Sequence, residues 1–169
     1  MKFKGSKRGE FLKIRKAEGS DAPLILGFIK DLAEFEKLSH EVVATEEKIR
    51  KTVFEKKGAE VWIVENASSN AVGFALCFQT YSTFLAKPGL YMEDLFVLPE
   101  ERGKGYGTKL LKFLAQTAIE RDYGRFEWSV LNWNRKAIDF YEKIGARPQN
   151  EWTVYRLAGK DLEVFAKDK

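Results

Sequence analysis

The chain has 169 residues, of which 44% are hydrophobic, 14% aromatic and 32% charged. This composition excludes an intrinsically disordered chain and indicates one globular domain with a sizeable buried core. The net charge of +4 is only mildly basic, and no predicted helix carries a basic stripe with interleaved aromatic residues, so we expect no nucleic-acid partner. The single cysteine excludes an intramolecular disulfide and is typical of a reducing compartment.

The ends of the chain show no targeting segment. Basic residues are concentrated at the start of the chain, which predicts a loose basic tail over residues 1–10, followed by a single domain over residues 11–169. The sequence lacks both the apolar stretch of a secretory signal and any apolar run long enough to cross a membrane. We therefore expect a cytoplasmic protein with no membrane partner.

Hydrophobic periodicity predicts the elements of the first half of the chain. Apolar and polar residues alternate over residues 11–16, which predicts a strand, and apolar residues recur at helical spacing over residues 24–36. A second helix is predicted over residues 46–55. Two strands follow, over residues 59–65 and 71–81, joined by a polar turn.

The second half alternates strands with helices. It contains, in order, a strand ending at residue 97, a helix from about residue 108 to 121, a strand over 125–130, a helix over 135–144, a last strand over 152–157, and a short tail over 159–167 that we expect to be helical. The whole order predicts an α/β domain with a mixed sheet.

A glycine-rich turn separates the strand ending at residue 97 from the helix that follows. Gly103, Gly105 and Gly107 stand at alternate positions, so the backbone can approach a ligand without Cβ clashes. They lie where a helix starts, and unpaired N–H groups at a helix start favour an anion. Arg102 and Lys104 add positive charge. The turn is therefore predicted to hold a pyrophosphate.

Two motifs resemble one enzyme family. The Walker pattern is absent, and the dinucleotide fingerprint needs a glycine where Thr108 stands. The run R-G-K-G-Y-G, placed after a strand that carries the acidic pair Glu93 and Asp94, instead resembles the acyl-CoA loop of the GNAT family of N-acetyltransferases. Residues 132–146 resemble that family's N-x-x-A-x-x-F-Y-x-x-x-G-A segment. Within the family, Y-M-E-D-L-F-V is similar to the diamine (spermidine/spermine) acetyltransferases and their thialysine-acetylating relatives.

The resemblance covers residues 11–157 and implies a fold. That fold is α/β of GNAT type, with a mixed, mostly antiparallel central sheet flanked by helices on both faces. The resemblance also implies acetyl-CoA as co-substrate, no metal, and a homodimer.

Direct attack of an amine on the thioester needs a base, an oxyanion donor and an acid, but no enzyme nucleophile. We expect Glu93 to be the base, directly or through a water, and Asp94 to project to the opposite face because side chains alternate along a strand. The matched motif makes Tyr141 the expected acid. A lone cysteine in an apolar strand, Cys77, is expected to be a small buried hydrophobe, and the lone His40 is not expected to be catalytic.

The resemblance also assigns binding residues. Those expected to contact acetyl-CoA are Leu95, Phe96, Val97, Arg102, Gly103, Lys104, Gly105, Tyr106, Gly107, Thr108, Asn134, Arg135, Lys136 and Ala137. Those expected to contact the acceptor are Phe35, Glu36, Glu93, Glu127, Trp128, Ser129 and Glu151. The acidic end of the first helix is also compatible with a solvated face. Gly27 stands where some diamine acetyltransferases carry an arginine, so the identity of the acceptor stays open.

The predicted function is transfer of an acetyl group from acetyl-CoA to a primary amine through a ternary complex. The expected acceptor is a small cationic amine: a di- or polyamine, or a lysine-like amine such as thialysine. The alternatives are a protein or peptide N-acetyltransferase, a non-catalytic acyl-CoA-binding sensor module and, last, a generic nucleotide-binding module.

Overall fold

A computed structural model describes residues 12–167. These residues form two compact units, the first ending at Ser129 and the second beginning at Val130. The tail predicted over residues 1–10 lies outside the described residues. A single domain over residues 11–169 stays a prediction.

Most predicted elements are present at or near their predicted bounds. The first unit contains β1 (Lys13–Lys16), α1 (Ala22–Glu36), α2 (Glu46–Ile49), β2 (Glu60–Glu65), β3 (Ala71–Ser82), β4 (Lys87–Val97), α3 (Tyr106–Glu120) and β5 (Phe126–Trp128). The α2 helix continues as a π-helix over Arg50–Glu55. The second unit contains α4 (Arg135–Lys143) and α5 (Gly159–Lys167). None of the helices within residues 12–167 is long and apolar enough to cross a membrane.

The five strands form one sheet in the order β1-β2-β3-β4-β5. The first four are antiparallel to their neighbours, and β5 is parallel to β4. This confirms the predicted mixed, mostly antiparallel sheet. A parallel pair needs a crossover connection, and here α3 supplies it. The glycine-rich turn therefore leads from the end of β4 into the crossover helix.

Helices cover both faces of this sheet, as predicted. On one face Phe28 of α1 stacks on Phe74 of β3, with ring centroids 5.5 Å apart, and also packs against Phe96 of β4. On the other face Phe113 of α3 packs edge-on against Trp62 of β2, at 4.7 Å. Burial of these large apolar side chains is the main stabilising term, at roughly 1.5–3 kcal/mol for each fully buried side chain.

The pairing of β4 with β3 shifts register at Glu93. Met92 pairs with Cys77 and Asp94 pairs with the adjacent Leu76, so one residue of β4 has no counterpart on β3. Neighbouring residues on β3 face opposite sides, and Met92 and Asp94 therefore do so as well. A β-bulge therefore interrupts the alternation of side chains between Met92 and Asp94. That Glu93 and Asp94 face opposite sides stays a prediction.

Three predicted boundaries differ from the structure. The strand predicted over residues 152–157 is wrong, because no residue of that segment pairs with a strand in the described part of the chain, and a strand exists only through such pairing. The strand predicted over residues 125–130 is shorter in the structure, because only Phe126–Trp128 (β5) pair with β4. The α3 helix begins two residues earlier than predicted, since Gly105 adopts a left-handed conformation as its N-cap. The tail over Gly159–Lys167 is helical, as predicted.

Candidate active site

The glycine-rich turn has a backbone conformation that favours glycine. Gly103 and Gly105 have φ values of 80° and 85°, a region that L side chains rarely adopt. A Cβ added at either position would meet no protein atom within 4 Å. The glycines are therefore required by the backbone conformation, and they leave open space beside it.

The start of α3 is arranged to accept an anion. No side chain caps this helix, and the N–H groups of a first helical turn have no partner within the helix. A Cβ at Gly107 would lie 3.6 Å from the side chain of Leu95 and 3.8 Å from that of Val97, so the helix start packs directly on the end of β4. The side chain of Tyr106 is buried, with 3% of its surface exposed. This geometry fits a pyrophosphate.

On the β5 side, β4 has no strand partner beyond Met92 within the described residues. The parallel pairing with β5 covers only Leu90, Tyr91 and Met92. Among residues 12–167, no strand pairs with β4 on that side over residues 94–97. An extended ligand can therefore add to this edge as a strand would.

The two cations of the turn make different contacts. Nζ of Lys104 lies 2.8 Å from a carboxylate oxygen of Glu101. The Nε of Arg102 donates a hydrogen bond of 2.9 Å to the carbonyl oxygen of Val97. The guanidinium of Arg102 lies 4.6 Å from the ring centroid of Phe35 and 5.4 Å from that of Phe96. Arg102 therefore bridges the end of α1, the end of β4 and the turn.

Three carboxylates lie close enough near the end of α1 for their charges to interact. Asp94 lies opposite Leu76, which packs in the core beneath α1, and Glu36 is the last residue of α1. Burial, together with the charges of Glu93 and Glu36, raises the pKa of Asp94 to about 6, and burial raises the pKa of Glu36. Glu93 is exposed. Within the described chain no hydrogen bond or ion pair joins any of the three to a cation.

The predicted acceptor residues on β5 are already paired. Glu127, which lies beside Tyr91 of β4, forms an ion pair with Nε of Arg125 at 2.7 Å. The Oγ of Ser129 lies 2.7 Å from the phenol oxygen of Tyr91. The Trp128 ring packs against Phe126, with centroids 4.9 Å apart. The charge of Glu127 is partly compensated by Arg125. Glu127 therefore attracts a cation less strongly than the three carboxylates near the end of α1 do.

The second unit carries the other matched motif. The side chain of Asn134 accepts a hydrogen bond of 3.3 Å from the backbone N–H of Ala137, so it caps α4 as predicted. Arg135 pairs with Asp139 at 3.3 Å within the helix. Burial raises the pKa of Tyr141, which keeps its phenol protonated at neutral pH.

The remaining predicted residues of this unit lie on its surface. Lys136 is exposed in the first turn of α4, and Glu151 is exposed in a turn before the segment that was predicted to be a strand.

Comparison with known proteins agrees with this arrangement. The family model described as "Acetyltransferase (GNAT) family" matches residues 28–146. The chain belongs to the GNAT acetyltransferase family. It is therefore an acetyltransferase, and both the predicted family and the predicted fold are confirmed.

Two relatives of this GNAT enzyme are named as acetyltransferases of small amines. The chain is 36% identical to the thialysine N-epsilon-acetyltransferase of Mus musculus, over 91% of this chain and 96% of the relative. It is 33% identical to an L-ornithine N5-acetyltransferase of Arabidopsis thaliana, over 93% of this chain and 89% of that protein. Among solved structures, an integron cassette protein from V. cholerae is 28% identical and superposes with a TM-score of 0.78, over 93% and 98% of the two chains.

The single cysteine and the single histidine lie in different surroundings. Cys77 is 1% exposed, and burial raises its pKa to about 11, so it is a buried hydrophobe as predicted. His40 is exposed and lies 3.4 Å from Glu41. Over residues 12–167, no group of three or more His, Cys, Asp or Glu side chains is arranged to hold a metal ion.

The sequence did not place Asp94 beside the end of α1. The alternation of side chains predicted that only one of Glu93 and Asp94 faces the acceptor, and the register of β4 puts Asp94 on the α1 face. A bulge depends on the pairing of two strands, so the sequence of β4 alone carries no signal for it.

We predict that Asp94→Asn stabilises the protein above pH 7. The folded-state pKa of about 6 lies above the ordinary aspartate value of 3.8, so the folded chain holds this proton more tightly than the unfolded chain. Stability is therefore lost as the pH rises from about 4 to about 6, by roughly 1–3 kcal/mol. Chemical denaturation at pH 8 should show D94N more stable than wild type, and at pH 4 the two should agree. The variant D31N, at an exposed position of α1, is the control and should show no such pH-dependent gain.

Proposed function

We propose that the chain transfers the acetyl group of acetyl-CoA to a primary amine of a small cationic molecule: a di- or polyamine, or a lysine-like amine such as thialysine. The observation that carries this proposal is the group of Glu36, Glu93 and Asp94, which has no cationic partner in the described chain. Unpaired carboxylates held close together repel one another, and an ammonium group removes that repulsion. The similarity to a thialysine N-epsilon-acetyltransferase and an L-ornithine N5-acetyltransferase supports the same class of acceptor.

The coenzyme is proposed to bind along β4 and the start of α3. The glycine-rich turn and Thr108 hold the pyrophosphate through backbone N–H groups. The unpaired edge of β4 over residues 94–97 supports binding of the pantetheine arm to Leu95, Phe96 and Val97. For Asn134, Arg135, Lys136 and Ala137, contact with the coenzyme is proposed from the matched motif, and their position in the first turn of α4 is compatible with an anion.

Proton movements complete the proposed reaction. The ammonium group gives a proton to Glu93, directly or through a water, and the amine nitrogen then bonds to the thioester carbon. A backbone N–H of β4 stabilises the negative charge on the carbonyl oxygen. The C–S bond breaks, and the thiolate takes the phenolic proton of Tyr141. The phenolate then takes the excess proton of the nitrogen, which leaves a neutral amide and restores the phenol.

Glu93→Gln is expected to lower kcat/KM for the amine by about 10²-fold, in the range typical of a lost general base. The loss should be greatest at low pH, where more of the amine is protonated and needs a base. The measurement is a pH profile of thiol release. The variant E100Q, which changes an exposed glutamate just after β4, is the matched control. If E93Q shows the same pH profile of thiol release as wild type, Glu93 is not the general base.

A thiol-release assay with purified protein tests the function. The acceptors are putrescine, spermidine, spermine, thialysine, ornithine, lysine and a histone-tail peptide, each with acetyl-CoA. Turnover of one small amine well above the peptide is the expected result. Preference for the peptide would favour a protein acetyltransferase, and tight acetyl-CoA binding with no turnover would favour a sensor module. Sedimentation velocity would test the homodimer, which stays a prediction.

A further inference from the structure

Arg102 contacts protein groups on three elements. Its Nε donates to the carbonyl of Val97 at 2.9 Å, and its guanidinium lies over the rings of Phe35 and Phe96 at 4.6 and 5.4 Å. A planar guanidinium both stacks on aromatic faces and donates in a fixed direction, so these contacts fix its orientation. The sequence had predicted this side chain to be a phosphate ligand.

The two rings lie next to the carboxylates proposed to bind the amine. Phe35 precedes Glu36 at the end of α1, and Phe96 lies two residues after Asp94 on the same face of β4. Phe35 is 41% exposed, so apolar packing alone holds it only in part. A contact that holds Phe35 against β4 therefore also sets the distance between Glu36 and Asp94.

We propose that Arg102 is a positioning residue for the amine side of the reaction, which holds the end of α1 against the end of β4 so that Glu36 and Asp94 face one acceptor. This role rests on the proposed function, because the carboxylates bind an amine only if that function is right. It differs from a phosphate contact in what it requires. A phosphate contact requires positive charge, which lysine also supplies. Positioning requires the planar, stacked and hydrogen-bonded guanidinium, which lysine does not supply.

The first experiment compares R102K and R102A with K104A. For R102K we expect the KM for the preferred amine to rise about five- to tenfold, as loss of the stacked, hydrogen-bonded guanidinium at about 1–1.4 kcal/mol would give. Its Kd for acetyl-CoA, from calorimetry, should stay within about twofold of wild type. K104A should show the reverse, with weaker acetyl-CoA binding and an unchanged KM for the amine. The proposal is overturned if R102A weakens acetyl-CoA binding, R102K restores it, and neither variant changes the KM for the amine. Arg102 would then act through its charge on the coenzyme.

The second experiment pairs Arg102 with Phe35. In a double-mutant cycle of R102K and F35L, the two increases in amine KM should not multiply, because each substitution breaks the same contact. Fully multiplicative effects would show that Arg102 does not act through Phe35.

A third measurement needs no substrate. The amides of Lys37 and Leu38 close the end of α1 through bonds of 3.1 and 2.8 Å to Glu34 and Ala33. Hydrogen exchange at these amides should be faster in R102K than in wild type, because the helix end is less restrained. Unchanged exchange would contradict the proposal. If exchange is faster in R102K but the wild-type protein acetylates none of the amines, the contact restrains the helix end and the proposed function is wrong.

Discussion

Gly105→Val is expected to abolish measurable acetyl-CoA binding. Gly105 has a φ of 85° and is the N-cap of α3. A β-branched residue in this region costs at least about 1–2 kcal/mol, so valine would rotate the backbone away and redirect the N–H groups of the helix start. Its side chain would also fill the open space in which no protein atom lies within 4 Å. Calorimetric titration should show Kd weakened by well over tenfold, with little thiol release at ordinary coenzyme concentrations.

Two further variants separate the causes of this loss. Asn tolerates the left-handed region better than other residues with a side chain, so Gly105→Asn should keep the backbone and test the filled space alone. Gly27→Ala, at a position in α1 where an added Cβ also meets nothing, should leave coenzyme binding unchanged. Thermal melts establish that each variant is folded. A wild-type Kd for G105V would mean that the turn is not the pyrophosphate site.

The sequence predicted those features that depend on local signals. Apolar periodicity identified α1 and α3, and the run of glycines marked the turn that the structure places between β4 and α3. The cap at Asn134 was also readable, because an asparagine side chain that binds the N–H three residues later is a local contact. These features need no partner from elsewhere in the chain.

The features that the sequence missed depend on distant residues. The bulge at Glu93 arises from pairing with β3, and that pairing decides which way Asp94 faces. The contact of Arg102 with Phe35 joins residues 67 positions apart, and the motif around Arg102 predicts only a basic side chain near a turn. The segment over residues 152–157 alternates like a strand, but alternation does not supply a pairing partner.

Tyr141→Phe is expected to lower kcat by about 10²-fold and to leave acetyl-CoA affinity unchanged, because it removes one proton and almost no packing surface. Burial raises the pKa of Tyr141 above its ordinary value of 10.0, and the protonated phenol is the form that donates. Activity that depends on this proton is lost only as the pH rises through that pKa. The ratio of wild-type to Y141F activity should therefore stay constant between about pH 6 and pH 9.

The control for Tyr141 is Tyr155→Phe, since Tyr155 is 92% exposed and belongs to the same unit. Both variants lose one phenolic oxygen, but only Y141F should lose turnover. Single-turnover kinetics at saturating acetyl-CoA and amine measure the chemical step apart from product release. If Y141F turns over at the wild-type rate there, the thiolate takes its proton from water or the amine, and Tyr141 is a core aromatic of α4. If the loss appears only in KM, Tyr141 contributes to binding and the proton comes from elsewhere.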